Sequence, residues 1–266
     1  MNNEKINNEQ CKKIKNAFKN NKAFIPFITG GDPDLAVTEE ILYALRDAGA
    51  DIIEIGVPFS DPIAEGPVIE SADERALANG CTTDKLFGLV SGVSGKIGVP
   101  LLFMTYYNPI FAYGSEKFVK NCAECGISGL IVPDLPFEER DELLTPCESA
   151  GLALISMIAP TSDERIADIA KNSAGFLYCV SSLGVTGERR SIGGSAKEMI
   201  ARVKKVSDIP CAVGFGISVP EQAKEVAAYA DGVIVGSAIV RVIAERGRDC
   251  VKTVYDFAKS IKEAIT

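Results

Sequence analysis

The sequence contains no histidine among its 266 residues. Histidine is the side chain whose ordinary pKa lies closest to neutral pH. Any proton transfer near pH 7 must therefore be carried out by carboxylates, lysine, tyrosine or cysteine. The sequence also contains no tryptophan, an absence that arises often enough by chance in a chain of this length to carry little weight.

Long apolar runs and clusters of basic residues are also missing. No segment approaches the roughly 18 consecutive apolar residues that a membrane-spanning helix needs, and the N-terminal stretch has no apolar core of signal-peptide length. Lysine and arginine total 28 against 36 aspartates and glutamates, a net charge of -8, and they form no basic stripe. We therefore expect a cytoplasmic protein that binds neither nucleic acid nor membranes.

The eight cysteines are scattered, without the density of a disulfide-stabilised miniprotein. Cys122 and Cys125 form a CxxC pair, a spacing found in redox and zinc sites. The pair lies within a helical pattern, and the sequence offers no second CxxC and no histidine to complete a zinc site. We expect both thiols to pack in the core and the protein to hold no metal.

Short apolar runs recur along the chain, each closed by Gly, Pro or Asp and followed by an amphipathic segment. The runs are "AFIPFIT" from Ala23, "DIIEIGV" from Asp51, "PLLFMTYY" from Pro100, "GLIVPD" from Gly129, "LALISMIAP" from Leu152, "GFLYCVSS" from Gly175, "PCAVGFG" from Pro210 and "DGVIVG" from Asp231. They are apolar at nearly every position, as in parallel strands buried on both faces. Thr161 with Glu164, and Ser218 with Glu221, have the capping-box spacing that marks a helix start.

Eight strand and helix units in about 250 residues predict an α/β fold, a closed (β/α)8 TIM barrel. The opening segment "NNEQCKKIKNAFKNN" adds an N-terminal amphipathic helix that covers the bottom of the barrel. The alternative is a doubly wound open sheet, but "TGGDPD" rather than GxGxxG follows the first strand. No linker or low-complexity segment divides the chain, so we expect one barrel domain over residues 1–266.

Glu54 lies four residues into the second run. Because side chains alternate along a strand, Ile53 and Ile55 face away from Ile52 and Glu54. Glu54 then points into the barrel or toward its helices, and both surroundings disfavour a charge. We expect a raised pKa, which suits proton exchange near neutral pH. The alternative is a structural salt bridge to a lysine or arginine.

Three glycine-containing loops directly follow late strands. They are "GVTGERR" from Gly184, "GFGIS" from Gly214 and "GSAIV" from Gly236. In TIM barrels the last two loops and the N-terminus of a short extra helix commonly hold phosphate. We expect such a cradle from Gly216, Gly236 and Ser237, with Gly187 reaching across from loop six. A single glycine after a strand is more often only a turn.

Five aromatic side chains lie near predicted strand ends. They are Phe27, Tyr106, Tyr107, Tyr178 and Phe215. An aromatic at a barrel mouth is usually core, but five that converge there would form the walls of a pocket for a flat apolar substrate.

The segments "FIPFITGGDP", "IIEIGVPFSDPIAEGPVI", "MTYYNPI", "LIVPDLP", "YCVSSLGVTGERR", "VGFGIS" and "GVIVGSAIV" occur in this order. Together they closely resemble the tryptophan synthase alpha subunit family, over nearly the whole chain from Ala23 to Val240. The resemblance implies cleavage of indole-3-glycerol phosphate to indole and glyceraldehyde 3-phosphate by a retro-aldol step without metal or organic cofactor. It assigns proton transfer to Glu54 and the indole N–H to the carboxylate of the next loop, Glu65. Tyr178 is a third candidate catalytic residue.

The chain departs from the family pattern at Glu65, where "DPxADGP" has Asp and this sequence has "DPIAEGP". The extra methylene moves the carboxylate outward by about 1.5 Å, and such a displacement costs rate unless the loop adjusts. Because Pro62 and Pro67 stiffen the loop, we expect a relaxed loop rather than a free side chain.

The resemblance also implies a partner, the beta subunit, in a tetramer of two alpha and two beta chains joined by an indole tunnel. It places Asp61 and Thr186 in loops that signal between the two sites. Three alternatives stay open: a weakly active chain that mainly activates its beta partner, a stand-alone lyase that releases indole, and a different phosphate-binding barrel such as a sugar-phosphate isomerase.

Overall fold

The parallel strands of this chain close into a barrel. The structure is a computed structural model that describes residues 9–19, 21–159, 165–180, 194–214 and 216–266. Within these residues the strands are β1 Ala23–Thr29, β2 Ile53–Gly56, β3 Leu101–Met104, β4 Gly129–Ile131, β5 Ala153–Ile158, β6 Leu177–Val180, β7 Cys211–Gly214 and β8 Gly232–Val235. Each strand pairs with the next, and β8 pairs with β1. The predicted (β/α)8 TIM barrel is confirmed, and the open-sheet alternative is wrong.

Helices surround the barrel, with at least one after every strand. They are α1 Glu9–Asn16, α2 Leu35–Asp47, α3 Pro67–Ala78, α4 Thr83–Ile97, α5 Tyr107–Tyr113, α6 Ser115–Cys125, α7 Asp141–Ala150, α8 Ile166–Lys171, α9 Gly194–Val203, α10 Pro220–Ala227, α11 Ser237–Arg246 and α12 Val251–Ile265. Two of them (α5 and α11) begin within a few residues of a strand end, and α3 follows β2 after the ten residues 57–66; each precedes the longer helix of the same unit. They therefore lie at the carboxyl ends of the strands, which we call the mouth of the barrel.

Helix ends follow local chemistry. The Asp34 side chain caps α2 by accepting the N–H groups of Ala36 and Val37, both at 3.0 Å. The capping box predicted at Ser218 is wrong, because α10 begins only at Pro220 and the Ser218 N–H donates to Gln222 Oε1 at 2.8 Å. The second predicted box, at Thr161 and Glu164, lies outside the described residues.

The apolar core has two shells, one inside the barrel and one between strands and helices. Inside, Cys11 and Ile14 of α1 pack under the strands, and Phe18 lies with its ring centroid 5.5 Å from that of Phe176. The predicted N-terminal helix therefore closes the bottom, leaving the mouth as the accessible end.

Cys122 and Cys125 are buried in the outer shell on α6, as the packing interpretation predicted. Among the residues that the structure describes, no helix has the length and apolar character needed to cross a membrane.

Candidate active site

Glu54 points into the barrel. Ile52 belongs to the inner core and Ile53 and Ile55 to the outer one, so period two places the carboxylate inside. Glu54 is 0% exposed, and neither of its oxygens has a hydrogen-bond partner among the described residues. The salt-bridge alternative therefore finds no support there. Burial, and secondarily the charge of Glu65, raise the Glu54 pKa well above its ordinary value, as expected.

Glu65 lies on the loop 57–66 between β2 and α3, which we call loop 2, and it is only 6% exposed. Its charge raises the pKa values of both Glu54 and Tyr178, behind the larger effect of burial, which places the three groups in one electrostatic site. The Tyr106 hydroxyl anchors loop 2 by accepting the Ala64 N–H at 2.9 Å. The structure thus brings the two predicted carboxylates together.

Tyr178 is buried in β6 on the inner face of the barrel. Burial, followed by the charges of Glu54 and Glu65, raises its pKa well above the ordinary value. The phenol therefore keeps its proton at neutral pH, so it can serve as a hydrogen-bond donor and not as a base. Gly214 on the neighbouring strand leaves room for the ring, since a Cβ there would collide with the Tyr178 hydroxyl.

The predicted aromatic pocket forms only in part. Phe27, Tyr106 and Tyr178 are buried at or near the mouth. Tyr107 is different, because β3 ends at Met104 and Tyr107 opens α5, where its hydroxyl donates to Glu142 Oε2 at 2.8 Å. Tyr107 therefore faces outward and not into the pocket. Phe215 lies outside the described residues.

Two loops at the mouth supply the elements of the predicted phosphate cradle. Gly216 follows β7 with φ of 88°, a left-handed conformation that glycine adopts without strain. Gly236 and Ser237 stand at the start of α11, where the helix dipole and free N–H groups favour an anion. The fourth cradle residue, Gly187, lies outside the described residues.

The outer rim of the mouth is exposed and partly apolar. Asp61 on loop 2 is exposed and accepts the Ser60 hydroxyl at 2.5 Å. Beside it in sequence, Ile63 is 74% exposed, and Phe111 on α5 is 69% exposed. Thr186, the other residue assigned to signalling, lies outside the described residues.

Sequence reasoning missed two buried acidic side chains that connect α3 to neighbouring segments at the barrel mouth. Asp32 follows β1 and is buried in a bidentate ion pair with Arg75 of α3, at 2.9 and 2.8 Å. Asp73, also on α3, is buried close to loop 2. The signal for Asp73 was present: a carboxylate at i+4 from Ile69 interrupts an apolar helical stripe.

A family model described as tryptophan synthase alpha chain matches residues 14–266. The chain belongs to this family. The tryptophan synthase alpha chains of Methanosarcina mazei and Lacticaseibacillus casei are 51% and 46% identical to it, covering 93% and 95% of this chain and 90% and 95% of theirs. The alpha subunit of the Legionella pneumophila tryptophan synthase superposes with a TM-score of 0.88 at 37% identity, over 97% of this chain and 98% of that one. A chain of the Mycobacterium tuberculosis tryptophan synthase does so with a TM-score of 0.87, also at 37% identity, over 97% and 98%.

Membership in the tryptophan synthase alpha chain family fixes the reaction. The alpha reaction is the cleavage of indole-3-glycerol phosphate to indole and glyceraldehyde 3-phosphate, and the chain is a carbon–carbon lyase of tryptophan biosynthesis. Alpha chains of this family partner with a beta subunit. The sugar-phosphate isomerase alternative is therefore wrong.

Proposed function

We propose that this chain cleaves indole-3-glycerol phosphate with Glu54 as the proton carrier and Glu65 as the acceptor of the indole N–H. It acts as the alpha subunit of a cytoplasmic complex of two alpha and two beta chains. The observation that carries the proposal is the isolated carboxyl group of Glu54, which is buried inside the barrel with a raised pKa and stands in the field of Glu65.

The chemistry requires such a group. Direct rupture of the C–C bond would expel a carbanion, so the indole ring must first take a proton at C3 while its N–H is drawn toward a base. The bond then breaks as a proton leaves the glycerol hydroxyl, giving the aldehyde and neutral indole. A carboxyl group with a raised pKa keeps its proton to a higher pH than an ordinary glutamate, so it can donate to C3 and take the hydroxyl proton afterwards. Glu65, as an acceptor, offsets the positive charge that develops on the indole nitrogen.

The rest of the site fits the two ends of this substrate. The N-terminus of α11 with Gly236 and Ser237, together with Gly216, suits the phosphate. The inner aromatic faces of Phe27 and Tyr178 suit the indole ring. Tyr178 keeps its proton and acts as a hydrogen-bond donor beside the reacting carboxylates.

The exposed side chains at the rim of the mouth favour binding of a beta subunit there. Ile63 and Phe111 expose large apolar side chains at the open end of the barrel. Ile63 lies two residues after the exposed Asp61. Exposed apolar groups with a polar rim are typical of protein interfaces. Phe111→Ser should weaken the affinity for a beta subunit measured by calorimetry, whereas Val206→Ser, after α9, should not. If Phe111→Ser and Val206→Ser bind the beta subunit with equal affinity, the surface around Phe111 is not part of the interface.

Indole release tests the catalytic roles. Glu54→Gln keeps the shape of the side chain but carries no transferable proton, and it should abolish indole formation from indole-3-glycerol phosphate. Glu70→Gln, a change of the same kind on a half-buried residue of α3, is the matched control and should retain wild-type turnover. Turnover by Glu54→Gln at the wild-type rate would exclude Glu54 as the proton carrier.

A second candidate function follows from Glu65, whose side chain is one methylene longer than the aspartate of the family pattern. The chain would then be weakly active and would mainly activate its beta subunit. Assaying indole release with and without a beta subunit separates the possibilities: activation of the beta reaction without indole release supports this second function, and rapid release without a partner supports a stand-alone lyase.

A further inference from the structure

A cavity of about 280 Å³ lies beside β5, between that strand, the segment that precedes α7, and α8. Ser156 borders it, and the neighbours of Ser156 at period two, Leu154 and Ile158, belong to the outer shell between strands and helices. Tyr178 of the proposed active site belongs to the inner core instead. The cavity is therefore built mainly on the outer side of the sheet, and Met157 brings one of its edges toward the mouth.

Arg140 borders this cavity and is buried, with only 7% of the residue exposed. It follows the short 3-10 turn Phe137–Glu139 and directly precedes α7. Its guanidinium lies over the Phe137 ring, 3.8 Å from the centroid. Its hydrogen bond to the Ser156 hydroxyl is long, at 3.5 Å. Since a guanidinium has five N–H donors, most of them find no acceptor among the described residues.

The other charged side chains at the cavity have partners of their own. Arg165 donates to Glu138 Oε1 at 2.7 Å. The carboxylate of Asp134 accepts the Tyr107 N–H at 2.9 Å. Arg140 is therefore the charged group of the cavity lining that lacks a counter-charge among the described residues.

Three acidic residues act on Arg140 only over a longer range. They are Asp141, Glu148 and Asp168, and none of them forms an ion pair with it among the described residues. Burial lowers the Arg140 pKa, because desolvation disfavours the charged form, and these acids oppose the shift. An arginine nevertheless keeps its proton in proteins, so the charge stays in place. A buried charge without a partner destabilises the fold, which leaves Arg140 without a purely structural explanation.

The walls of the cavity indicate which anion would fit. Apart from the charged residues and Ser156 they are largely apolar, and they include Val132, Pro136, Phe137, Leu154, Ile158 and Ile169. Small-molecule sites are commonly apolar pockets with a few polar groups, and their volumes begin at about 300 Å³. A guanidinium holds a carboxylate through two parallel hydrogen bonds. A small organic acid would satisfy both the buried charge and the apolar walls, whereas a bare phosphate would leave the walls uncovered.

We propose that this cavity is a second ligand site of the chain, in which Arg140 and Ser156 hold the carboxylate of a small organic acid and the apolar walls hold its hydrocarbon part. The site goes beyond the proposed function and does not depend on the catalytic roles of Glu54 and Glu65.

Calorimetry with benzoate tests the class of ligand. Benzoate combines a carboxylate with a flat apolar ring, and benzamide has nearly the same shape without the charge. Wild type should bind benzoate, and it should bind benzamide at least about tenfold more weakly, because hydrogen bonds to a charged group are stronger. Inorganic phosphate should also bind more weakly than benzoate. Equal binding of benzoate and benzamide, or tighter binding of phosphate, overturns the assignment to an organic acid.

Substitution of Arg140 tests the position of the site. Arg140→Met keeps an apolar side chain against Phe137 but removes the charge, and it should weaken benzoate binding at least about tenfold. Arg46→Met, which removes a cation on the surface of α2, is the matched control and should bind benzoate like wild type. Benzoate bound in the active site alone would not respond to Arg140→Met. Equal benzoate affinity in wild type and Arg140→Met, or no benzoate binding at all, overturns the proposal.

Melting temperatures show whether the protein itself already satisfies Arg140. Without ligand, Arg140→Met should melt no lower than wild type, because the substitution removes an unpaired buried charge. Benzoate should raise the melting temperature of wild type but not that of Arg140→Met, since only the folded wild-type site binds it. If ligand-free Arg140→Met melts well below wild type, contacts within the protein hold Arg140, and the proposal is overturned.

Discussion

Phe27 and Glu54 are register partners on β1 and β2, so an aromatic ring and a buried carboxylate stand side by side on the inner face of the barrel mouth. Gly56, two residues after Glu54, borders the same ring, since a Cβ there would lie 2.7 Å from Phe27 Cζ. The strand that presents the proton carrier thus also provides the space for the proposed indole wall.

Gly56→Ala should displace the Phe27 ring and raise the KM for indole-3-glycerol phosphate about tenfold, a typical effect of altering an apolar pocket. Loss of folded protein lowers the apparent kcat but not KM, so the two parameters separate pocket damage from instability. Gly92→Ala is the control: it lies exposed in α4 with nothing within 4 Å of the added methyl group, and it should leave KM unchanged. An unchanged KM in Gly56→Ala would remove Phe27 from the substrate pocket.

Glu65→Asp tests whether loop 2 is fitted to the longer side chain. Two hydrogen bonds hold loop 2 in place. One runs from the Ala64 N–H, directly before Glu65, to the Tyr106 hydroxyl, and a weaker one runs from the Phe59 N–H to Asp73. The shortened carboxylate should therefore fall short of the indole N–H and lower kcat/KM by about ten- to a hundredfold. Glu70→Asp, the same shortening on α3, should have little effect. A faster Glu65→Asp enzyme would instead favour the weakly active alternative.

Periodicity in the sequence revealed the strands but not the face of Glu54. Ile52 and Ile53 are both apolar because the strand is buried on both sides, so only closure of the barrel decides which residue points inward. Tyr107 was misplaced for a related reason: the apolar run "PLLFMTYY" continues past Met104, where pairing with β4 stops and α5 begins. Strand ends are set by partners that a local pattern does not contain.

The carboxylates at the barrel mouth also depend on partners that a local sequence pattern does not contain. Glu54 was identified from its position in an apolar strand and Glu65 from the family motif, whereas Asp73 and Asp32 carry no such signal. Asp32 is paired with Arg75, 43 residues away in sequence, and Asp73 accepts a hydrogen bond from loop 2. Contacts across such separations arise only when β1, α3 and loop 2 meet at one end of the barrel.

Arg75→Met should destabilise the protein, because it leaves the Asp32 carboxylate buried without its partner. Removing the partner of a buried charge costs about 3 kcal/mol, which corresponds to a melting temperature lower by roughly 6–10 °C for a chain of this size. Arg46→Met, which breaks the surface pair with Asp47, should change the melting temperature little. The double variant Arg75→Met with Asp32→Asn should recover part of the loss, since no charge is left buried. Equal melting temperatures for the two single variants would contradict the structural role of the Asp32–Arg75 pair.

Asp73 also predicts how stability depends on pH. Its folded-state pKa of about 7 lies above the ordinary value of 3.8, so between these pH values the folded protein keeps a proton that the unfolded chain has released. The free energy of unfolding should fall as the pH rises through this window and level off above it, by a total on the order of 4 kcal/mol. Asp73→Asn removes this cost, so its melting-temperature advantage over wild type should grow from pH 4 to pH 7 and stay constant above. Glu74→Gln should show no such trend, and an advantage of Asp73→Asn that is independent of pH would mean that Asp73 ionises alike in the folded and unfolded protein.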